Sequence, residues 1–402
     1  MPQRSLTPLY LLTGVLTMGY GVVFTLLAEL RQIFGFSESE VGLIAASGFL
    51  SGFISQVTLA RYADRGHTKV LVRMGPVVAF VAMVWLVFAA SLWAFVAARF
   101  VFGLGSGAVQ PSVRRIVILR NPDSMGESLG RLTAFDIGGF VFGPLLGVVA
   151  LELGGIRAPF VVLAVLYAAA IVMTSRMEVD SAAAPRVDSS VRRLLRNRGM
   201  QSALGVALAF YLTVGSFEAL WALLMDDLGT ETWVIGVTLS GFVIPMVLMA
   251  SFGGRTAQRM GAVRLCRFSI PVAIVAMVLY GVVGEQRDGS TLVWGIVAVS
   301  AVVSVHAIAD AFTMPALQVA VAQAAPAELA ATAQGVLSAF GLLVALVASL
   351  GGAVLYDKAG PLVGFGVPAA LMLVGLLIGQ ALDPARVDSS TDDPPIAVSQ
   401  LS

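Results

Sequence analysis

Long apolar stretches separated by short polar segments dominate the chain. Stretches of about 19 or more apolar residues recur throughout it, and a helix of that length crosses a hydrocarbon core about 30 Å thick. Within lipid a helix closes its own backbone hydrogen bonds, and runs of this length differ from the short alternating strands of a membrane barrel. The pattern predicts membrane-spanning helices at 8–28, 40–60, 70–90, 92–113, 128–150, 157–175, 201–223, 233–253, 266–284, 291–313, 333–355 and 361–381.

The polar segments divide this all-α chain into two halves. The one long internal polar segment predicts a six-helix half at 1–175, a cytoplasmic linker at 176–200 and a second six-helix half at 201–382. Residues 383–402, rich in Asp, Ser and Pro, are predicted to form a disordered cytoplasmic tail. The sequence GRLTAFD beginning at Gly130 reappears as GVLSAFG beginning at Gly335, which indicates a parallel repeat of the two halves.

The distribution of Lys and Arg predicts the orientation. If the N-terminus is cytoplasmic, about twenty of these residues lie on the inner side, whereas Arg31, Arg157, Arg287 and Lys358 lie outside. The positive-inside rule therefore places both termini in the cytoplasm.

Composition excludes several other classes of protein. The set AVILMFWYC makes up 58% of the 402 residues and DEKR only 12%, too few charges for a soluble surface. The net charge of +1 argues against nucleic-acid binding. One Cys and two His leave no basis for a disulfide framework or for most metal sites, and no metal or cofactor is expected.

Two connections carry related polar motifs. Residues 60–69 read ARYADRGHTK, and residues 254–261 read GRTAQRMG, with Gln258 where the first motif has Asp64. A tight glycine-containing turn there would hold Asp64 near basic residues and a helix end, as a latch between conformations. The plainer alternative is an ordinary positive-inside loop.

The fourth predicted helix contains Arg99 in the sequence RFVFGLGSG. A guanidinium within an apolar helix costs about 2.5 kcal/mol or more, so Arg99 should face a cavity or a partner. The fifth has Gly130, Gly139, Gly143, Pro144 and Gly147 at spacings that leave a smooth face for another backbone.

These motifs resemble those of the major facilitator superfamily, and the fifth-helix spacing resembles its drug:proton antiporters, apart from Val148 where a second Gly is usual. The resemblance implies twelve helices in two pseudo-symmetric halves, a monomer, and transport by alternating access. It associates Arg99 with proton transfer. It assigns gating to Asp64, Arg65, Arg259, Gly139, Gly143, Pro144 and Gly147.

Acidic residues within the predicted helices are candidates for proton coupling. Asp136 shares the packed face of the fifth helix, and Asp310 lies one turn from His306, so that the two side chains can relay a proton. Alternatively, Asp136 is a permanently paired structural acid, and His306 and Asp310 simply satisfy each other.

Candidate substrate contacts are aromatic or polar. Glu218 lies near Phe217 and Trp221, a setting suited to a lipophilic cation. Tyr20, Phe24 and Gln56 are further cavity candidates, with helix packing as their alternative role. The second and eleventh helices carry matching seams and are expected to meet across the halves; the seam residues are Ala45, Gly48, Gly52 and Ser55 in the second and Gln334, Ser338, Gly341, Ala345, Ser349 and Gly352 in the eleventh.

The sequence favours an inner-membrane transporter that exports small lipophilic or drug-like compounds in exchange for protons. Its expected partners are the substrate, protons and the lipid bilayer. A proton symporter or facilitator that imports a metabolite is the main alternative. A membrane enzyme or sensor is a remote one, since it would need a nucleophile with its base, a metal cluster or an appended soluble domain. The sequence shows no nucleotide-binding P-loop, which argues against ATP-driven pumping.

Overall fold

A computed structural model describes residues 6–36, 38–177, 191–230, 232–285 and 292–384, and within them the chain is helical. The helices are α1 (Thr7–Phe34), α2 (Glu38–Tyr62), α3 (Thr68–Phe88), α4 (Leu92–Arg120), α5 (Met125–Gly154), α6 (Ala158–Ser175), α7 (Val191–Arg196), α8 (Arg198–Asp227), α9 (Thr232–Met260), α10 (Ala262–Glu285), α11 (Leu292–Ala324), α12 (Ala330–Ala359) and α13 (Pro361–Ala381). A π-helical turn, Ala63–His67, joins α2 to α3, and short 3₁₀ turns, Pro122–Ser124 and Ala327–Leu329, precede α5 and α12.

Glycine and proline set the corresponding ends of α5 and α12. Gly155 follows α5 with φ 70°, and Gly360 follows α12 with φ 85°, a left-handed region in which a β-carbon is unfavourable. Proline then stands in the first turn of the next helix in both cases, where its missing N–H costs nothing.

The helix pairings occur twice. In the first group, α1–α6, α1 packs on α5, α2 on α4 and α3 on α6; in the second group, α8–α13, α8 packs on α12, α9 on α11 and α10 on α13. The groups meet where α5 contacts α9 and α2 contacts α12. The same order of helix pairings in both groups agrees with the parallel repeat that the sequences at Gly130 and Gly335 indicate.

The outer surface is apolar. Leu153 is 84% exposed, Phe88 73% and Leu248 72%, and a water-soluble surface rarely gathers so many large apolar side chains. Within the described residues, nine segments are long and apolar enough to cross a membrane, and one of them, Leu43–Phe88, covers both α2 and α3. The chain is therefore a multi-pass membrane protein.

Some predictions about the helices need correction, and others lie outside the described residues. The predicted ends at residues 113, 253 and 313 are wrong: α4 continues to Arg120 through two buried arginines, Arg114 and Arg115, α9 continues to Met260, and α11 continues to Ala324. The predicted tail from residue 385 onward, and residues 178–190 of the predicted linker, lie outside the described residues.

Candidate functional site

Asp64 joins the two groups of helices at one end of the bundle. Its Oδ1 accepts hydrogen bonds from Arg115 Nε (3.1 Å) and Ala331 N (3.0 Å), and its Oδ2 accepts from the backbone N (2.7 Å) and Oγ1 (2.6 Å) of Thr332. Leu329, which precedes α12, offers no side-chain cap. Asp64 of the first group therefore caps a helix of the second group, at the positive end of its dipole.

Gln258 makes the reciprocal connection. Its Oε1 accepts from the backbone N of Gly126 (2.6 Å) near the start of α5, and its Nε2 donates to the carbonyls of Pro122 (2.9 Å) and Asp123 (3.1 Å). Ser124, before α5, likewise makes no side-chain cap bond. We call these two reciprocal caps the latch, and the end of the bundle that carries them the latch end.

The latch turns have matching backbone geometry. Gly66 and Gly261 both have φ 91°, which only glycine adopts without strain, so the segment after α2 forms the predicted tight turn. Arg65 and Arg259 are exposed beside these turns. Arg65 stacks over the Tyr62 ring at 5.9 Å, while the buried Arg115, 5% exposed, supplies the cation for Asp64.

Asp136 lies deeper in the bundle, beside Arg114. Arg114 Nη2 is 3.5 Å from Asp136 Oδ2, and Arg114 Nη1 donates to Ser338 Oγ of α12 at 2.8 Å. The side chain of Asp136 is 14% exposed and that of Arg114 is 10% exposed. One arginine of the first group thus contacts both an acid of its own group and a hydroxyl of the other.

A polar layer lies on the latch side of this ion pair. Gln318 Nε2 donates to Thr133 Oγ1 (3.0 Å), which links α11 to α5, and Gln334 Nε2 donates to the Gln318 carbonyl (2.8 Å). Gln56, 9% exposed, has its carbonyl next to Gly335 of α12. These contacts close the interface between the two groups on the latch side of Asp136.

Arg99 is 1% exposed, and its Nε and Nη1 have no hydrogen-bond partner among the described residues. Its guanidinium lies over the rings of Tyr20 and Phe102, with the carbon Cζ 5.4 Å from each ring centroid. Tyr20 Oη in turn lies 2.6 Å from Ser106 Oγ. Arg99 thus lies beside Tyr20, one of the predicted cavity residues. The arginine that contacts Asp136 is Arg114.

The glycines of α5 bring α1 into backbone contact. A β-carbon at Gly139 would strike the Gly14 carbonyl, and one at Gly143 would strike the backbone of Met18 and Gly21. At Gly147 the same atom would meet only ordinary contacts near Val22. The close approach therefore depends on the first two glycines, and α5 runs on through Pro144 to Gly154.

The second group contains a buried aromatic cluster around His306. His306 Nε2 is 3.5 Å from Asp310 Oδ2, and its Nδ1 lies 3.1 Å from Tyr280 Oη. Phe217 stacks on Trp221 with centroids 4.8 Å apart and meets His306 edge-on at 5.8 Å. The predicted residues Phe217, Trp221, His306 and Asp310 are thus brought together, while the side chains of Phe24 and Glu218 lie outside what the structure describes.

Sequence reasoning missed the partners of the acids. Arg114 and Arg115 were assigned to a loop, although the apolar run Ile116–Leu119 that follows them signals that the helix continues. Gln318 carries no comparable signal. Tyr280 and Phe242, whose ring centroid lies 5.4 Å from that of His306, likewise look like ordinary helix residues in the sequence.

The fold and this interface define a class of protein. The molecule has two repeated six-helix groups with an apolar outer surface, and polar contacts join them at one end. This is the architecture of a secondary transporter. The profile of the Major Facilitator Superfamily matches residues 9–305 and 202–398, and the chain belongs to that family.

Similar proteins agree with this assignment. The chain is 25% identical over 261 residues to the "Multi-drug resistance efflux pump PmrA homolog" of Lactococcus lactis subsp. lactis (strain IL1403), a match that covers 61% of this chain and 64% of that protein. It is 23% identical over 310 residues to the "Multidrug resistance protein MdtG" of Proteus mirabilis (strain HI4320), covering 72% and 75%. The chain thus spans less than two thirds of the Lactococcus protein.

The crystal structure of the human organic anion transporter MFSD10 (TETRAN) has the same fold, with a TM-score of 0.75 over 94% of this chain and 100% of that one, at 17% identity. Family and relatives make the chain a transporter and not an enzyme.

Proposed function

We propose that the protein is a proton-coupled exporter of small lipophilic or drug-like compounds in a bacterial cytoplasmic membrane. The efflux pumps among its relatives and the α5 glycine motif support export. In this proposal twelve helices cross the membrane, both termini are cytoplasmic and the protein is a monomer. Residues 1–175 and 201–382 are the moving halves, joined by the linker 176–200, and residues 383–402 form the cytoplasmic tail.

The contact of Arg114 with both Asp136 and Ser338 carries the proposal of proton coupling. An ionised Asp136 holds Arg114 by charge, whereas a protonated Asp136 attracts it far less. Because Arg114 also donates to α12 of the other half, each change in the protonation of Asp136 alters a contact between the halves. A proton taken up by Asp136 would thereby favour one arrangement of the halves over the other.

The latch contacts support an arrangement closed toward the cytoplasm. Asp64 and Gln258 join the halves at the end of the bundle that the positive-inside rule places in the cytoplasm. Export requires this end to open so that substrate can enter. Asp64 is therefore proposed as the gate, together with Arg65 and Arg259 beside the two latch turns. The glycine contact between α1 and α5 is proposed as the surface on which the helices move.

The His306–Asp310 pair is proposed as a second proton-binding site. Its position in the second half means that it can respond to the same opening motion as Asp136, and the surrounding Phe217 and Trp221 provide apolar surface for substrate. Gln56, Phe24 and Glu218 remain proposed cavity residues, on the sequence argument alone.

A liposome assay tests the proposal. The full chain is reconstituted with a pH-sensitive dye in the lumen, and lipophilic cations, antibiotics and polar metabolites are added outside. Antiport predicts lumenal alkalinisation with the transported compound, and Asp136→Asn should abolish it. The matched control Asp357→Asn removes an exposed carboxylate at the far end of α12 and should leave the signal unchanged.

Two outcomes would contradict the proposal. Lumenal acidification driven by a metabolite would establish symport. Normal coupled transport by the Asp136→Asn protein would remove Asp136 from the coupling mechanism.

A further inference from the structure

The two ring nitrogens of His306 have different neighbours. His306 is fully buried, and a polar side chain lies beside each nitrogen. Tyr280 Oη of α10 is 3.1 Å from Nδ1, and Asp310 Oδ2, one turn further along α11, is 3.5 Å from Nε2. In a neutral imidazole one nitrogen is a donor and the other an acceptor, so the two contacts cannot be of the same kind.

The Tyr280 hydroxyl decides which nitrogen carries the proton. Tyr280 is fully buried, and among the described residues its hydroxyl has one hydrogen-bond partner, His306 Nδ1. If Nδ1–H donated to Tyr280, the buried O–H of Tyr280 would be left without an acceptor, which is costly. If the hydroxyl donates to Nδ1 instead, both groups are satisfied and the ring proton is on Nε2.

A proton on Nε2 lies beside Asp310. Nε2 of His306 has no hydrogen-bond partner among the described residues, and Asp310 Oδ2 lies only a few tenths of an ångström beyond an ordinary hydrogen-bond distance. A small change in the Asp310 side chain therefore lets Nε2 donate to it. Asp310 is 2% exposed, and a carboxylate buried to this extent needs such donors.

Aromatic rings hold the His306 ring in this orientation. Its centroid is 5.8 Å from that of Phe217 of α8, 5.4 Å from that of Phe242 of α9 and 5.9 Å from that of Tyr280. Because these rings come from three separate helices, the imidazole cannot turn over unless closely packed side chains move. Each nitrogen therefore keeps its own neighbour.

We propose that Tyr280 is a positioning residue, which fixes His306 as a neutral ring with its proton on Nε2. His306 is then a fixed hydrogen-bond donor for Asp310, and the coupling proton binds the Asp310 carboxylate. A relay through His306 would require Nδ1 to accept a proton, and the Tyr280 hydroxyl occupies that nitrogen. His306 and Tyr280 thus each keep their own proton throughout the cycle. This inference rests on the proposed function and assigns separate roles within its second proton-binding site.

Nitrogen NMR reads the protonation of each ring atom. The sequence has two histidines, and the other one, His67, is exposed in the turn after α2. The full chain, produced with isotope-labelled histidine and without a histidine tag, is reconstituted in liposomes, and His67→Gln assigns the remaining signals to His306. We expect Nδ1 to resonate as an unprotonated, hydrogen-bonded nitrogen and Nε2 as a protonated one.

Variants of the two neighbours test what sets this pattern. In Tyr280→Phe the Nδ1 signal should move to the frequency of an unprotonated nitrogen without a hydrogen bond. In Asp310→Asn both nitrogens should keep their protonation state, since Tyr280 sets it. Tyr167→Phe is the matched control, because Tyr167 is equally buried and its hydroxyl donates to Val15 O at 3.1 Å in the first half. It should leave both His306 signals unchanged.

Four spectral results would overturn the inference. They are a protonated Nδ1 in the wild-type protein, protonation of both His306 nitrogens, transfer of the proton to Nδ1 in Asp310→Asn, and an unmoved Nδ1 signal in Tyr280→Phe.

Transport separates a fixed donor from a proton carrier. A glutamine amide can place an N–H near the position of His306 Nε2, but it does not take up a proton. His306→Gln should therefore keep proton-driven transport close to the wild-type rate in the liposome assay. His306→Leu lacks the donor and should lose roughly tenfold or more. Loss of transport in a folded His306→Gln protein, with Tyr167→Phe normal, would overturn the inference. If either His306 variant fails to fold, the spectra of Tyr280→Phe decide.

The two measurements separate this inference from the proposed function. Symport in the liposome assay together with the expected spectra would overturn proton antiport and keep the role of Tyr280. Antiport together with a protonated Nδ1 would keep the proposed function and overturn that role.

Discussion

At the scale of single residues, the buried arginines are distinguished by their partners. Arg115 is held by Asp64, and Arg114 by Asp136 and Ser338. The guanidinium of Arg99 instead lies over two aromatic rings, and its Nε and Nη1 have no hydrogen-bond partner among the described residues. An arginine that both halves contact responds to their relative position, whereas Arg99 is enclosed within the first half. Their surroundings, rather than their residue type, thus separate three roles.

Ser338→Ala tests whether Arg114 couples the halves. The substitution removes the acceptor on α12 and leaves the Arg114–Asp136 pair intact. Because a hydrogen bond from a charged donor contributes about 1.5 to 3 kcal/mol, we expect proton-driven transport to fall roughly tenfold or more. Transport is measured in the liposome assay.

Ser304→Ala is the matched control for that experiment. Among the described residues, Ser304 Oγ donates only to Ser300 O of its own helix, and its side chain is exposed. Proton-driven transport at the wild-type rate in the Ser338→Ala protein would show that the halves are coupled through other residues.

At the scale of helices, the contact between α1 and α5 depends on glycine. Gly143 places its Cα where a β-carbon would strike the backbone of α1, and backbone cannot move aside as a side chain can. We expect Gly143→Ala to lower the unfolding temperature and slow transport, and Gly143→Leu to abolish transport. Thermal unfolding in detergent and uptake in liposomes measure these effects.

Gly138→Ala provides the comparison on the same helix. A β-carbon at Gly138 would meet nothing within 4 Å, so this variant should behave like wild type. Equal behaviour of Gly138→Ala and Gly143→Ala would mean that α1 and α5 are not closely packed during transport.

The sequence predicted the helices well and their contact partners less well. Apolar length and the Gly130 and Gly335 repeat are local properties, and they yielded the helical fold and its two groups. The small residues Gly48 and Gly52, however, pack on Gly103 and Gly107 of α4, and Gly341 packs on Tyr211 of α8. The predicted contact of α2 with α12 is confirmed, but the prediction that Gly48, Gly52 and Gly341 form it is wrong.

The physical reason is that small residues favour close approach without specifying the neighbour. The actual contact of α2 with α12 runs through Gln56 and Ala60 against Gly335. The pairing of Asp136 with Arg114 was likewise hidden, because it joins α5 to a residue beyond the predicted end of α4. Side chains that converge from separate helices are fixed by tertiary packing, and periodicity does not report it.

At the scale of the whole molecule, the latch is symmetric in position and asymmetric in charge. Asp64 caps α12 as a carboxylate paired with Arg115, while Gln258 caps α5 as a neutral amide. A second ion pair, Arg255 with Glu127 at 3.9 Å, adds a weaker, more exposed connection between the same groups. The charged cap at Asp64 is therefore the stronger of the two caps that hold the latch end closed.

Asp64→Asn should shift the molecule toward opening at the latch end. The amide keeps the shape but loses the charge, which leaves Arg115 buried beside a neutral group, at a cost of about 3 kcal/mol or more. Spin labels at Val70→Cys and Met260→Cys, in a Cys266→Ala background, report the distance between the halves at this end. Wild-type protein should give one short distance, and Asp64→Asn should add a longer one.

Asp357→Asn, at the opposite end of α12, should keep the wild-type distance. An unchanged distance in the Asp64→Asn protein would show that the neutral contacts of Gln258 and of the Gln318 layer are enough to hold the halves together.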